Sequence, residues 1–267
     1  MTDSLFSAID RCNELLRLDF SAEEFAKLAE ERSLSAESIE AVSSVFEYLR
    51  DKKEQSTIQM LLRTSRLPQK QVKTFDNFDF DVLKGKDIDK LKNLQTLAPI
   101  YAHKNIAFIG PPGTGKTHLA QAFGYECCRH RMKTYFIKAA ELRDKFTIAR
   151  RAGREGELLT SHIQPSCLII DEVGHCEFDK ANTRLFFDMV DRRYNKEGAF
   201  NMIFTSNKNP SDWREIFGEN DALLCSLDRL FDSASVFTFR GESFRGKHLE
   251  NYTLRAEHSA STTRTIH

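Results

Sequence analysis

The sequence predicts an α/β fold: a parallel five-stranded sheet wrapped by helices and preceded by a small all-helical domain. Three observations carry that prediction. From Lys104 onward, short apolar β-rich runs alternate with helical stretches, the pattern of strands joined by crossover helices. Before residue 75, apolar residues recur instead at helical spacing. The chain has 267 residues, 40% of them apolar, with only 12 Gly and 6 Pro, so it can bury a core of that size and is not a disordered polymer.

Taken in order, Leu5, Ile9, Cys12 and Leu16 form the first helical stripe. Ser21 and Glu24 form a capping box ahead of Phe25 and Leu28, and Ile39, Val42, Phe46 and Leu49 make a third stripe. These helices define an amino-terminal domain over residues 1–74, in which Pro68 closes a basic stretch. Residues 75–98 read as a linker: the alternating segment Phe75-Asp76-Asn77-Phe78-Asp79-Phe80, then a short charged helix over 81–98. The main domain spans residues 99–254, with strands expected at Ile106–Ile109, Thr134–Ile137, Leu168–Ile170, Met202–Phe204 and Val236–Phe239. The tail, 255–267, is rich in Ser, Thr and His and is expected to be disordered.

Composition excludes several classes. No apolar run approaches the roughly 18 residues of a membrane span, and Met1–Ser7 carries Asp3 but no basic residue, unlike a secretory or transit signal, so the expected compartment is the cytoplasm. Six scattered cysteines without a CxxC spacing predict neither zinc nor disulfides. The 39 basic and 39 acidic residues cancel, yet they are unevenly spread. Residues 1–49 hold eleven acidic and four basic side chains, whereas residues 50–74 hold seven basic and two acidic ones.

Gly110-Pro111-Pro112-Gly113-Thr114-Gly115-Lys116-Thr117 fits G-x-x-x-x-G-K-[ST], and it follows an apolar strand and opens the helical run 118–130 beginning at His118. Such glycines let successive backbone N–H groups turn toward phosphate oxygens, and the helix amino terminus adds its positive dipole end. Lys116 then reaches the β- and γ-phosphates of ATP, and Thr117 offers its hydroxyl to Mg²⁺. Fifty-five residues after Lys116, the apolar run Cys167-Leu168-Ile169-Ile170 ends in Asp171-Glu172. Asp171 is the expected Mg²⁺ residue, and Glu172 the one that polarises the attacking water. Phe204-Thr205-Ser206-Asn207 ends another strand, where the Asn207 amide either orients that water or simply begins a turn. Arg229 in Asp228-Arg229-Leu230 and Arg245 in Ser243-Phe244-Arg245 flank the last strand. Near a transferring phosphate they would stabilise developing charge, although Arg229 beside Asp228 also fits a solvated ion pair.

With these pieces in this order, the chain resembles the AAA+ ATPases, and more narrowly the IstB-type transposition helpers and their DnaC-type helicase-loader relatives. The resemblance covers roughly residues 50–250 and is carried by the segments above together with Leu67-Pro68, Ala139-Ala140-Glu141-Leu142 and Arg240-Gly241-Glu242-Ser243-Phe244-Arg245. It implies that Asn207 is the first sensor, Arg229 an arginine finger acting in trans, and Arg245 a second sensor in cis. It also implies ATP and Mg²⁺ as ligands, self-assembly into a ring or filament, and either a transposase or a replicative helicase as partner. Protein threading is not expected, because Lys138-Ala139-Ala140-Glu141 stands where unfoldases carry an aromatic pore loop. A small-molecule kinase fits poorly with Asp171-Glu172, Asn207 and the two arginines.

In the stretch 142–154, Leu142, Phe146 and Ala149 fall on one side, while Arg143, Arg150, Arg151 and Arg154 fall on the other at i, i+7, i+8 and i+11, with Lys145 between. Two readings fit, a solvated helix face or a basic helix tracking DNA phosphates. The resemblance favours the second. Without interleaved aromatics, binding would be backbone-directed and weakly sequence-specific.

Overall fold

In the computed structural model, residues 10, 12–13, 15–17, 19–217, 227, 230–232, 234–241 and 243–244 are described. Five parallel strands, β1 (Ile106–Ile109), β2 (Thr134–Lys138), β3 (Cys167–Val173), β4 (Asn201–Ser206) and β5 (Ser235–Thr238), form one sheet in the order β2-β3-β4-β1-β5. Each expected strand is present, within one to three residues at its ends. Parallel strands need crossovers, which cover both faces of the sheet, so the strands read as unbroken apolar runs. Side-chain alternation divides them. Ala107, Ile109, Leu168 and Ile170 pack on one face with Phe146, Phe186 and Trp213. Ile106, Phe108, Cys167 and Ile169 pack on the other with Leu119 and Phe123.

Of the three helical stripes expected at the amino terminus, Leu5 and Ile9 of the first lie outside the described residues, and the second and third form helices. Ser21 and Glu24 make the reciprocal capping box of α1 (Ala22–Glu31). Helix α2 (Ala36–Thr64) is longer than its apolar stripe implies, and it runs unbroken through the change from acidic to basic composition. Its carboxy-terminal end is built into the main core: Leu61, Leu67 and Phe75 are buried in the second cluster, and Ser65 accepts the Phe136 N–H of edge strand β2 at 2.8 Å. The charged helix expected over 81–98 is absent as one unit. In its place are a 3₁₀ turn at Phe80–Val82, a five-residue helix α3 (Ile88–Lys92), a second 3₁₀ turn and a four-residue helix α4 (Ala98–Tyr101). The stretch is interrupted at Leu97, which adopts φ 58° ahead of Pro99, a backbone that no continuous helix passes through. Burial of Leu91, Leu94, Leu97 and Ile100 anchors the broken chain instead.

Helices whose full spans lie among the described residues are also α5 (Lys116–Arg129), α6 (Ala139–Ala152), α7 (Glu155–Ile163), α8 (Lys180–Tyr194) and α9 (Trp213–Phe217). Arg193, near the end of α8, is fully buried, and its guanidinium donates to five backbone carbonyls: His162, Ile163, Pro165, Ser166 and Asn201, at 2.7–3.3 Å. It therefore satisfies the orphan carbonyls at the end of α7 and ties them to the starts of β3 and β4. Burial pushes its pKa down to about 10, so it remains charged at neutral pH. Arg193→Met would leave these buried acceptors without donors, and the expected cost is about 3–5 kcal/mol. A circular-dichroism melt that drops by less than a few degrees would contradict this role.

Candidate nucleotide site

The phosphate loop links β1 to α5, with Gly110 at φ 147°, Gly113 at 80° and Gly115 at 91°. Close packing requires these glycines as much as backbone freedom does. A Cβ on Gly110 would run into the Phe239 carbonyl, and one on Gly113 into Ser243. The segment just before Arg245 thus lies against the loop, and Phe244 donates its N–H to the Gly113 carbonyl at 3.0 Å. Arg229 and Arg245 themselves lie outside the described residues. Pro112 is exposed at the loop's tip, and Thr114 is buried and donates to the Pro111 carbonyl at 2.9 Å. Lys116 is 7% exposed, and its Nζ also donates to Pro111, at 2.6 Å. On the far side, His118 Nε2 lies 2.9 Å from the Thr74 carbonyl, and burial lowers its pKa. The Phe78 ring packs edge-on against His118 and fills the space where a Gly115 side chain would go.

Asp171 and Glu172 stand where β3 separates from β4. The register breaks between Ile170 and Val173, and Glu172 adopts φ 59°, a left-handed backbone that is uncommon for a residue with a side chain. Asp171 is 1% exposed, and one of its oxygens, Oδ1, accepts from both Thr117 (2.8 Å) and Thr205 (2.5 Å). Burial raises its pKa, and the two hydroxyl donors partly offset that. Thr205 Oγ1 also accepts the Glu172 N–H at 3.0 Å, so one threonine fixes both acids. The Glu172 carboxylate pairs with Lys138 at the end of β2, 2.9 Å away. These are hard oxygen donors, and the buried carboxylate beside the Thr117 hydroxyl suits a small divalent cation such as Mg²⁺.

The expected phosphate-loop residues and Asp171 therefore converge, with Glu172 alongside. Asn207 follows β4, is exposed, and its Nδ2 lies 3.0 Å from His175 Nε2. Thr205 as a fixing residue, Lys138 and His175 were not singled out from the sequence. Only Thr205 carried a local signal, as a polar residue near the end of a buried strand.

The basic residues of 142–154 are only partly gathered. Helix α6 ends at Ala152 with Gly153 in the left-handed region, so Arg154 lies beyond it and pairs with Glu157. Arg143 pairs with neighbouring Asp144. Lys145 donates to the Tyr135 hydroxyl at 2.9 Å and sits near Glu141. Arg150 reaches Asp179 and Asn182 at the start of α8. Arg151 is exposed and has no ion-pair partner among the described residues.

The family described as IstB-like ATP binding protein matches residues 13–251. An ATP-binding protein of insertion sequence IS5376 from Geobacillus stearothermophilus is 39% identical over 72% of this chain and 75% of its own length. The corresponding protein of IS21 from Pseudomonas aeruginosa is 34% identical over 70% and 68%. Among solved structures, DnaI superposes with a TM-score of 0.54 at 17% identity, covering 67% of this chain and 95% of that one. AMPPCP-bound DnaA from Aquifex aeolicus gives 0.52 at 21%, covering 65% and 51%. These two share the fold.

Proposed function

Since the chain belongs to the IstB-like ATP-binding protein family and is an AAA+ ATPase, we propose that it assembles on DNA in an ATP-dependent way and assists a transposase in selecting its target. The observation that carries the nucleotide chemistry is the single Asp171 oxygen shared by Thr117 and Thr205, which joins the phosphate loop, β3 and β4 in one buried network. Lys116 and the loop N–H groups hold the β- and γ-phosphates. Thr117 and Asp171 would hold Mg²⁺, which would neutralise charge on the phosphates. Glu172 accepts a proton from the attacking water, and Asn207 orients that water or donates to the γ-phosphate. Arg229 from a neighbouring subunit and Arg245 from the same one complete the electrostatic clamp. The relatives' association with insertion sequences supports a transposase as partner, ahead of a replicative helicase.

For DNA, we assign Arg151 to the phosphates because it is exposed and has no ion-pair partner among the described residues, whereas the other four basic residues of 142–154 hold acids, an amide or a phenol. Arg151→Ala is expected to weaken binding to all sequences alike and to lower the salt slope by about one. Fluorescence anisotropy across salt concentrations checks this, and an unchanged slope would return α6 to a solvated face. No helix among the described residues is long and apolar enough to cross a membrane.

The partner is tested by reconstitution. If a transposase is encoded beside this chain, its integration should require the chain and ATP, and should be lost with Lys116→Ala. If integration ignores the chain while a replicative helicase binds it, the protein is a helicase loader.

A further inference from the structure

The turn after β3 carries a second device. Gly174 adopts φ 102°, and the Lys208 side chain lies 3.3 Å from where a Cβ would sit. The His175 N–H returns to the Glu172 carbonyl at 3.2 Å. The chain thus folds back over the end of β3, and the imidazole arrives beside Asn207 at the end of the adjacent strand β4, where Val173 is in register with Ser206. Asn207 Nδ2 and His175 Nε2 are 3.0 Å apart. Two nitrogens can share a hydrogen bond in this arrangement only if the amide donates and the imidazole accepts, which places the ring proton on Nδ1.

We infer that His175 is a positioning residue for Asn207, holding the sensor amide through one N–H so that its second N–H is aimed into the nucleotide site. The inference rests on the sensor role proposed for Asn207. An exposed asparagine has a broad, nearly two-fold χ2 preference and would otherwise present oxygen and nitrogen interchangeably. A water or phosphate oxygen needs a donor at a fixed place, because preorganised donors contribute more to the transition state than mobile ones. With its proton on Nδ1 the ring accepts at Nε2 and holds the amide with its nitrogen toward the ring, whereas the other tautomer would donate to the amide oxygen, so the ring tautomer sets the flip state. His175 does this from outside the phosphate cradle, so it acts on turnover with little effect on nucleotide affinity.

The test is a set of steady-state ATPase measurements on the full chain with Mg²⁺ and duplex DNA, reading kcat and KM for ATP, with thermal melts as a fold control. His175→Phe keeps a ring but removes the acceptor, and it should lower kcat by a factor of roughly ten to a hundred, the cost of a misplaced group, with KM within about twofold. His175→Gln restores an acceptor at similar reach and should recover most of kcat. In the Asn207→Ala background, His175→Phe should cause no further loss, since a residue acting through another has nothing left to position. If Asn207→Ala slows turnover but His175→Phe is silent, or if the two losses multiply, the positioning role is overturned and the sensor reading stands. If Asn207→Ala leaves kcat unchanged, the sensor reading fails and this inference fails with it. A His175→Phe loss that Gln does not rescue assigns the residue to packing and overturns the inference.

Discussion

Glu172→Gln is expected to bind ATP as tightly as the parent chain while turning it over more slowly by a factor of roughly a hundred to ten thousand, the range for losing a general base. Lys116→Ala is expected to lose nucleotide binding itself. The difference follows from where each side chain is anchored. Lys116 is buried within the loop, where its charge meets phosphate in ground state and transition state alike; such uniform binding appears as affinity. Glu172 is fixed from behind by its own N–H on Thr205, and its carboxylate is turned toward Lys138. The amide of Gln keeps the shape and the backbone anchor, and removes the proton acceptor together with the charge that pairs with Lys138. Equilibrium binding of a fluorescent ATP analogue, measured beside phosphate release, separates the two. Equal loss of affinity in both variants would contradict the roles assigned to Lys116 and Glu172.

What was legible in the sequence is what short-range chemistry encodes. The phosphate loop could be placed because strand, glycines and helix start are contiguous, and the Ser21–Glu24 capping box because both partners lie within one turn. The five strands could be found because a sheet covered on both faces makes the middle of each strand a run of apolar residues. Features that depend on distant parts of the chain meeting were not legible. The left-handed backbone of Glu172 arises where β3 and β4 lose register, 30-odd residues apart in sequence. The pairing of Arg150 with Asp179 and of Lys145 with Tyr135 removed most of what looked like a free basic face, because charge spacing along a helix says nothing about acids carried on other elements. Arg193 is the extreme case: in sequence it is one more basic residue at a helix end, and only the fold brings five carbonyls around it.

Arg229→Ala is expected to leave the nucleotide affinity of the monomer nearly unchanged, to remove ATP-dependent assembly on DNA, and to lower turnover by a factor on the order of a thousand or more, the range for an arginine finger. Arg229 lies outside the described residues, but its neighbours Leu227 and Leu230 are buried, and the Leu230 carbonyl accepts from Asn105, just ahead of β1. A finger acting in trans differs from one acting in cis in how its loss can be complemented. In a mixture of Arg229→Ala and Glu172→Gln chains, an interface that takes Glu172 from the first and Arg229 from the second is complete, so hydrolysis should recover in part. Arg245, assigned in cis, is expected to act within one chain's own site, so an Arg245→Ala, Glu172→Gln double variant should lose only its own site and still donate an intact Arg229 to its neighbour. The measurement is phosphate release as a function of mixing ratio, with mixed assembly verified by differential tagging. Mixed oligomers without recovery would show that Arg229 is not a finger in trans and would favour the ion pair with Asp228, the other reading its sequence allows.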